Sequence, residues 1–274
     1  MTIIHVVILL VTGTAVGFAS GLLGLGGAFI MTPVQYLVFT DMGLPTDTAI
    51  KLAFGTNLLV VLPTAASGAW RHHREGVVYW RAAIIMGVSS CIFALVGATL
   101  TAYLDGEKLK IAYGGIVLLS AIRMLIARQP RIERKYIDNP WIWIAWAIPV
   151  GLLSGIFGIG GAIVMIPVMV LALRFKMHNA VATSLAVMIF TSVGGIIGYI
   201  VNGIGVPDLP PYSIGYVNLP SWFILVLTSV GMAQVGAMIA HRLSGVYLKY
   251  IFVVVMFYMG LKMIEVFEWL GWPI

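Results

Sequence analysis

Residues 17–34 read GFASGLLGLGGAFIMTPV, and residues 151–168 read GLLSGIFGIGGAIVMIPV. The two stretches begin 134 residues apart, and ten of their eighteen positions are identical. The identical positions include both Gly-x-Gly-Gly turns and both prolines, Pro33 and Pro167. A repeat of this kind in a strongly apolar chain is typical of membrane proteins built from two related halves. The sequence therefore predicts a duplicated membrane fold.

The duplication extends beyond the glycines. Residues 55–58 read GTNL, and residues 182–185 read ATSL. Because the matches continue on both sides of a polar central run, each half of the chain corresponds to one copy. We therefore expect a first transmembrane repeat at residues 1–128, a cytoplasmic linker at 129–140 and a second transmembrane repeat at 141–274.

The composition indicates which solvent surrounds the protein. Hydrophobic residues make up 61% of the chain and charged residues 9%, whereas roughly 25% of a soluble domain is charged. The net charge is +6, but the basic residues lie in short gaps between apolar runs. That placement favours cytoplasmic loops and anionic lipid headgroups over nucleic acid. We expect an all-α polytopic membrane protein in contact with the lipid bilayer and without a nucleic-acid partner.

The apolar runs predict about ten membrane segments, five in each half. The second and seventh segments contain only 13 and 12 residues, whereas a full crossing needs about 20. Both follow a Gly-x-Gly-Gly turn, and a matched pair of short or broken helices indicates a transporter's binding site. The ten runs cover residues 3–23, 28–40, 50–70, 78–103, 109–127, 141–157, 162–173, 179–201, 219–240 and 246–270.

Loop charge predicts the orientation of these segments. Four gaps between the segments are rich in Lys and Arg and together hold 12 of the 16 basic residues. We assign these four gaps to the cytoplasm. We expect a protein of the cell inner membrane, with the central linker in the cytoplasm and both termini in the periplasm. Because five is an odd number, the second half then enters the bilayer from the opposite side. The expected architecture is a 5+5 inverted repeat.

The two glycine turns suit an anion. A helix that begins after a glycine turn presents backbone N–H groups without intrahelical partners, together with a partial positive charge. Glycine also lets the backbone approach an oxygen closely. We expect amide donors at Gly26, Gly27, Gly160 and Gly161. The side-chain donors predicted beside them are Thr56, Asn57, Thr183, Ser184, Ser20 and Ser154.

Each of these candidates also has a structural interpretation. Glycines four residues apart, at 17 and 21 and again at 151 and 155, commonly allow close helix packing. Serine and threonine in membrane helices commonly donate to the carbonyl one turn earlier in the same helix. The binding interpretation is stronger for residues 56, 57, 183 and 184, because both halves repeat them.

Four further residues are candidates for gates or hinges. Lys51 and His178 align when the two halves are superposed, and they precede segments three and eight on opposite membrane faces. They are either gate residues that meet an incoming anion or solvated loop charges. Pro33 and Pro167 lie inside the short segments, where a missing N–H is expected to loosen the helix.

Several other chemistries are not supported by the sequence. His72-His73 resembles a metal-binding pair, but no third ligand is expected nearby, so we interpret it as cytoplasmic loop. The glycine turns lack the strand and the acidic residue of a dinucleotide site, and the lysine of a phosphate loop. No nucleophile, base and acid occur together. The sequence thus predicts neither an enzyme nor a bound metal or cofactor.

The paired G-x-x-S-G-x-x-G-x-G-G-A signature, with its prolines and its Gly-Thr-Asn and Ala-Thr-Ser followers, resembles the sulfite exporter TauE/SafE family. The resemblance covers both halves of the chain. It implies secondary transport of sulfur oxyanions or organosulfonates across the bacterial inner membrane. Family members often carry a third glycine after Gly-x-Gly-Gly, where this chain has Ala28 and Ala162. That change leaves the amide donors in place.

The sequence therefore predicts an alternating-access carrier for a small sulfur-containing anion. An anion channel of the same architecture is the alternative, because both can use broken helices. A membrane subunit that anchors a partner is the third reading, and the short loops disfavour it. The sequence leaves open the exact substrate, the transport direction, the driving force and whether the protein is a homo-oligomer.

Overall fold

The computed structural model describes residues 1–23, 27–126, 136–239 and 246–269. These parts of the chain are helical, apart from turns and an isolated β-bridge between Ser213 and Asn218. Gly26 and most of the predicted linker lie outside the described residues. The helices are α1 (Ile3–Leu23), α2 (Ala28–Asp41), α3 (Thr46–Arg74), α4 (Trp80–Tyr103), α5 (Gly106–Ile126), α6 (Pro140–Phe157), α7 (Ala162–Pro167), α8 (Met177–Gly203), α9 (Leu219–Ile239), α10 (Val246–Met263) and α11 (Val266–Trp269).

The lengths of the helices confirm an all-α polytopic membrane protein. Seven described helices are long and apolar enough to cross a bilayer. The two segments predicted to be short are short: α2 has 14 residues and α7 has 6. Helix α7 continues as a π-helical stretch, Val168–Ala172, directly after Pro167. A proline cannot donate an N–H and displaces the carbonyl one turn earlier, so the helix widens there.

Helices α3 and α8 cross at the centre of the molecule and run antiparallel. A Cβ placed on Gly195, late in α8, would lie 2.5 Å from Leu58, early in α3. At the other end, a Cβ on Gly68, late in α3, would lie 3.1 Å from Leu185, early in α8. Among the seven described helices long enough to cross a bilayer, α3 and α8 are also the most buried: 78% and 72% of the residues in their most apolar stretches are buried.

Two further helix pairs pack through glycine, and each pair joins opposite halves. A Cβ on Gly17 in α1 would lie 2.3 Å from the carbonyl oxygen of Ser229 in α9. A Cβ on Gly151 in α6 would lie 2.5 Å from the carbonyl oxygen of Ser90 in α4. Both contacts bring backbone against backbone, as small residues allow in membranes. The packing role expected of these glycines is confirmed, and the two halves interleave.

Candidate functional site

The two short helices begin in the same unusual way. The residue before α2 is Gly27, with φ of 63°, and the residue before α7 is Gly161, with φ of 94°. Both values lie in the left-handed region, which glycine adopts without steric cost. The first N–H bonded back to these glycines is that of Ile30 in α2 and of Val164 in α7, each at 3.1 Å. The N–H groups that precede Ile30 and Val164 in these helices have no acceptor within their own helix.

The second glycine turn lies against the middle of the molecule. Gly158 has φ of 62°, and a Cβ there would lie 2.6 Å from the Cα of Phe54 in α3. The side-chain amide of Asn57, one turn further along α3, donates to the carbonyl oxygen of Gly158. The predicted site residue Asn57 thus fixes the position of the turn.

Gly160 brings this turn to the crossing of the two central helices. A Cβ on Gly160 would lie 2.8 Å from Val61 of α3 and 3.2 Å from Met188 of α8. Both residues lie near the middle of helices that span the whole fold. The turn therefore reaches the interior, far from either end of α3 and α8.

The first glycine turn is held by other helices. A Cβ on Gly27 would lie 1.9 Å from a methyl carbon of Val16 in α1. The carbonyl oxygen of Ala28 accepts a hydrogen bond of 2.9 Å from the hydroxyl of Tyr113 in α5. The start of α2 is thus fixed between α1 and α5, and a side chain at position 27 has no room.

Three buried side-chain oxygens have no hydrogen-bond partner among the described residues: Ser154 Oγ and Asn57 Oδ1, whose residues contact the second turn, and Ser192 Oγ in α8. All three residues are fully buried. Ser154 Oγ lies 3.7 Å from the Cβ position of Gly161. Ser192 follows Met188 by one turn of α8. Because buried polar groups are nearly always hydrogen-bonded, Ser154 Oγ and Asn57 Oδ1 are candidates for contact with a ligand or water at the turn.

Gln35 is a site candidate that the sequence reasoning missed. This residue of α2 is fully buried, and neither its amide nitrogen nor its amide oxygen has a partner among the described residues. An intramembrane amide of this kind is costly and usually functional. The repeat gave no signal for it, because the aligned position holds Met169. Ser192 was missed for the same reason, since its aligned position holds Ala65.

Thr56 and Thr183 are buried, and each contacts the opposite half. The hydroxyl of Thr56 accepts from the backbone N–H of Asn218 at 2.8 Å, and that of Thr183 accepts from Tyr79 at 3.1 Å. Ser184 donates to the carbonyl oxygen of Val181 at 2.8 Å. These hydroxyls therefore have structural partners.

Two other predicted residues, Ser20 and Lys51, are buried. Ser20, the counterpart of Ser154, is buried in α1. Lys51 is 4% exposed, pairs with Asp47 at 2.8 Å and donates to the carbonyl oxygen of Ala102 at 3.3 Å. The interpretation of Lys51 as a solvated loop charge is wrong, because its carboxylate partner lets it be buried near the start of α3.

The interpretation of His72 as plain loop is also wrong. His72 is buried at the end of α3, and Glu75 and His178 lie beside it. One ligand atom from each of these three residues lies within 4.8 Å of the other two. The sequence reasoning excluded a metal pair at His72-His73 for lack of a third ligand. Two further potential ligands lie beside His72: Glu75, three residues along the chain, and His178 of α8, more than a hundred residues away.

Comparison with known proteins places this architecture among transporters. A family model described as "Sulfite exporter TauE/SafE" matches residues 9–263. A protein of Methanocaldococcus jannaschii named "Probable membrane transporter protein" is 31% identical over 94% of both chains. A similarly named protein of Bacillus subtilis is 31% identical over 85% of this chain and 89% of its own. One of Haemophilus influenzae is 25% identical over 87% and 90%. No solved structure shows a significant match.

Proposed function

Because the chain belongs to the sulfite exporter TauE/SafE family of membrane transporters, we propose that it carries a small sulfur-containing anion, sulfite or an organosulfonate, across the inner membrane. The strongest support for this proposal is the position of the second glycine turn. The second glycine turn lies at the α3–α8 crossing, and the buried hydroxyl of Ser154, which has no partner among the described residues, lies 3.7 Å from the Cβ position of Gly161. A hydroxyl or amide donor without a partner in the part of the chain that the structure describes suits a ligand that brings only acceptors.

The chemistry of the ligand follows from these donors. A sulfonate or sulfite presents three acceptor oxygens and a delocalised negative charge, which backbone N–H groups at a helix start bind well. We assign the amide donors to Gly160 and Gly161, and to Gly26 and Gly27 in the first half. The second N–H of the Asn57 amide is a further donor, since the first is used on Gly158. A site of this kind binds an anion without a fully charged side chain.

We propose that the two halves are an inverted repeat. Reciprocal contacts support this: Ser229 contacts Gly17 and lies 3.2 Å from the Thr64 hydroxyl, and Ser90 contacts Gly151 and lies 2.8 Å from that of Thr191. Each contact repeats with the halves exchanged. The aligned helices α3 and α8 run antiparallel. So do α5 and α10, since Gly114 lies against Met263 and Leu118 lies against Gly260.

Alternating access follows from such a repeat. Two interleaved halves that rock about a shared crossing expose a central site first to one side and then to the other. Lys51 and His178 are the proposed gate residues, because Lys51 lies in the second turn of α3 and His178 in the first turn of α8, at opposite ends of the central pair. Pro33 and Pro167 are the proposed hinges. The π-helical stretch after Pro167 supports local irregularity there.

The proposed orientation follows the positive-inside rule. The end of α3 carries Arg71 and Arg74, and α4 begins at Trp80 followed by Arg81. We therefore assign this end, and the linker at 129–140, to the cytoplasm. With this choice both termini lie in the periplasm.

Flux into proteoliposomes tests the proposal. Sulfite, sulfoacetate, taurine, sulfate and chloride are each offered, with and without a pH gradient. We expect saturable uptake of one sulfur anion, competition by its relatives, and counterflow when unlabelled substrate is loaded on the opposite side. Unsaturable flux dominated by chloride would instead identify an anion channel. Absence of flux for every sulfur anion, in folded protein, would remove the substrate assignment.

A further inference from the structure

Three potential metal ligands converge where α3 ends and α8 begins. Nδ1 of His72 lies 3.6 Å from Oε2 of Glu75. The imidazole rings of His72 and His178 meet edge to face, with centroids 5.7 Å apart. All three residues offer a ligand atom within 4.8 Å of the other two. We propose that His72, Glu75 and His178 bind one divalent transition-metal ion, with Zn²⁺ as the best match.

The distances suit such an ion. Tetrahedral zinc with bonds of about 2.0–2.1 Å keeps its ligand atoms about 3.3 Å apart. The separation of 3.6 Å between His72 and Glu75 is close to that value. His178 is exposed, so its side chain has room to close the remaining distance. His72 is only 4% exposed and provides the fixed ligand.

The ligand types select the class of metal. Two imidazoles and one carboxylate favour Zn²⁺, Co²⁺ or Ni²⁺, whereas Mg²⁺ and Ca²⁺ prefer sites made of oxygen. Three protein ligands leave a coordination position for water or an added ligand. Positively charged side chains on the same segments repel a metal cation and weaken its binding. Arg71 donates to Oε1 of Glu75 at 3.3 Å, and Arg74, Arg174 and Lys176 lie on the flanking segments. We therefore expect moderate affinity.

The site joins the two halves at one end only. His72 belongs to the first half and His178 to the second. At the opposite end of the central pair, the aligned positions hold Tyr199 and Lys51, which do not make a transition-metal site. A bound ion would thus hold the end of α3 to the start of α8. Slower transport in zinc is the expected consequence, and this consequence alone rests on the proposed carrier function.

Co²⁺ titration of the full chain in detergent micelles tests the site. We expect one Co²⁺ per chain, the intense visible absorption of tetrahedral cobalt, displacement by Zn²⁺ and no displacement by Mg²⁺. His178→Ala and Glu75→Gln change exposed side chains, so both variants should fold. Each should weaken Co²⁺ binding on the order of 10–100-fold, as loss of coordination partners does.

His73→Ala is the matched control. It removes a neighbouring histidine from the same helix end, whose Nδ1 accepts from the indole of Trp80 at 2.9 Å. Its Co²⁺ affinity should equal that of the unmodified protein. Equal affinities for His178→Ala and the unmodified protein would overturn the proposal, as would an equal loss in His73→Ala. Because binding is read by absorption, a failed transport assay leaves this result intact.

Discussion

The hydroxyl of Thr56 in α3 accepts a 2.8 Å hydrogen bond from the backbone N–H of Asn218, the residue before α9. Its counterpart Thr183 in α8 accepts from the backbone N–H of Tyr79, the residue before α4, at 3.1 Å. The first N–H groups of a helix have no partner within it. Each half of the chain thus supplies a side-chain acceptor at a helix start of the other half.

This relationship predicts the effect of Thr56→Val. Valine has nearly the shape of threonine but no acceptor, so the buried N–H of Asn218 is left unpaired. We expect a loss of about 1–3 kcal/mol in the free energy of unfolding. Thr183→Val should cost less, because Tyr79 is 37% exposed and water can reach its N–H. Unfolding in mixed micelles by increasing SDS measures both. Thr56→Ser keeps the acceptor, and equal stability of Thr56→Ser and Thr56→Val would contradict the assignment.

The glycine contacts predict a second result. Gly17→Ala and Gly151→Ala place a methyl group 2.3 and 2.5 Å from a carbonyl oxygen of the neighbouring helix. Because backbone must move to relieve such contacts, each should lower stability by about 1–3 kcal/mol. Gly231→Ala in α9 is the control, since a Cβ there meets nothing within 4 Å. In thermal unfolding in micelles, the control should have a Tm equal to or higher than that of the unmodified protein. A control as unstable as Gly17→Ala would refute the packing argument.

Ser154→Ala separates a binding role from a structural one. The Ser154 hydroxyl has no partner among the described residues, so its removal breaks no described bond. We expect unchanged stability, or a gain of about 1 kcal/mol. If the hydroxyl donates to the anion, KM for flux should rise roughly ten-fold, as loss of a hydrogen bond to a charged group predicts. Ser89→Ala is the control, because that hydroxyl donates to its own helix at Ile85, at 2.9 Å. An unchanged KM in Ser154→Ala would remove Ser154 from the site.

The buried Lys51 predicts a gain rather than a loss. Asp47 lies 2.8 Å from its ammonium group and neutralises it. Asp47→Asn should free that positive charge to attract an incoming anion, and lower KM roughly two- to five-fold at low salt. The effect should vanish at high ionic strength. Asp138→Asn changes an acid that pairs with Arg81 at 3.3 Å, remote from Lys51, and serves as the control for uptake from the Lys51 side. A KM that does not respond to Asp47→Asn would exclude Lys51 as a gate.

The glycine turn was accessible from sequence because its signal is local. The left-handed conformations of Gly27 and Gly161 follow from a residue type that alone adopts them without cost. Ser154 lies a few residues from its turn, so the repeated signature already contained it. Thr56 and Thr183 were predicted as donors to a substrate, whereas their hydroxyls accept from backbone N–H groups more than a hundred residues away. Sequence alone therefore did not indicate that they are acceptors at helix starts.

Gln35 and Ser192 illustrate a different limit. Both are completely buried and have no partner among the described residues, which depends on every neighbouring helix. Neither residue is repeated in the other half, so the internal comparison passed over both. Lys51 and His72 were misjudged for a related reason. Charge next to a loop normally means solvent, but long-range packing buries both side chains.

The sequence by itself determined the membrane class, the helix order and the two broken segments. These depend on apolar run length, proline and glycine, whose effects act within one or two helical turns. Only the tertiary structure decided that α3 and α8 cross antiparallel, that Gly160 lies between Val61 and Met188, and that His178 joins His72 and Glu75. Such contacts join residues remote in the chain. They form only when helices of both halves pack together, because burial and hydrogen bonding are properties of the whole assembly of helices.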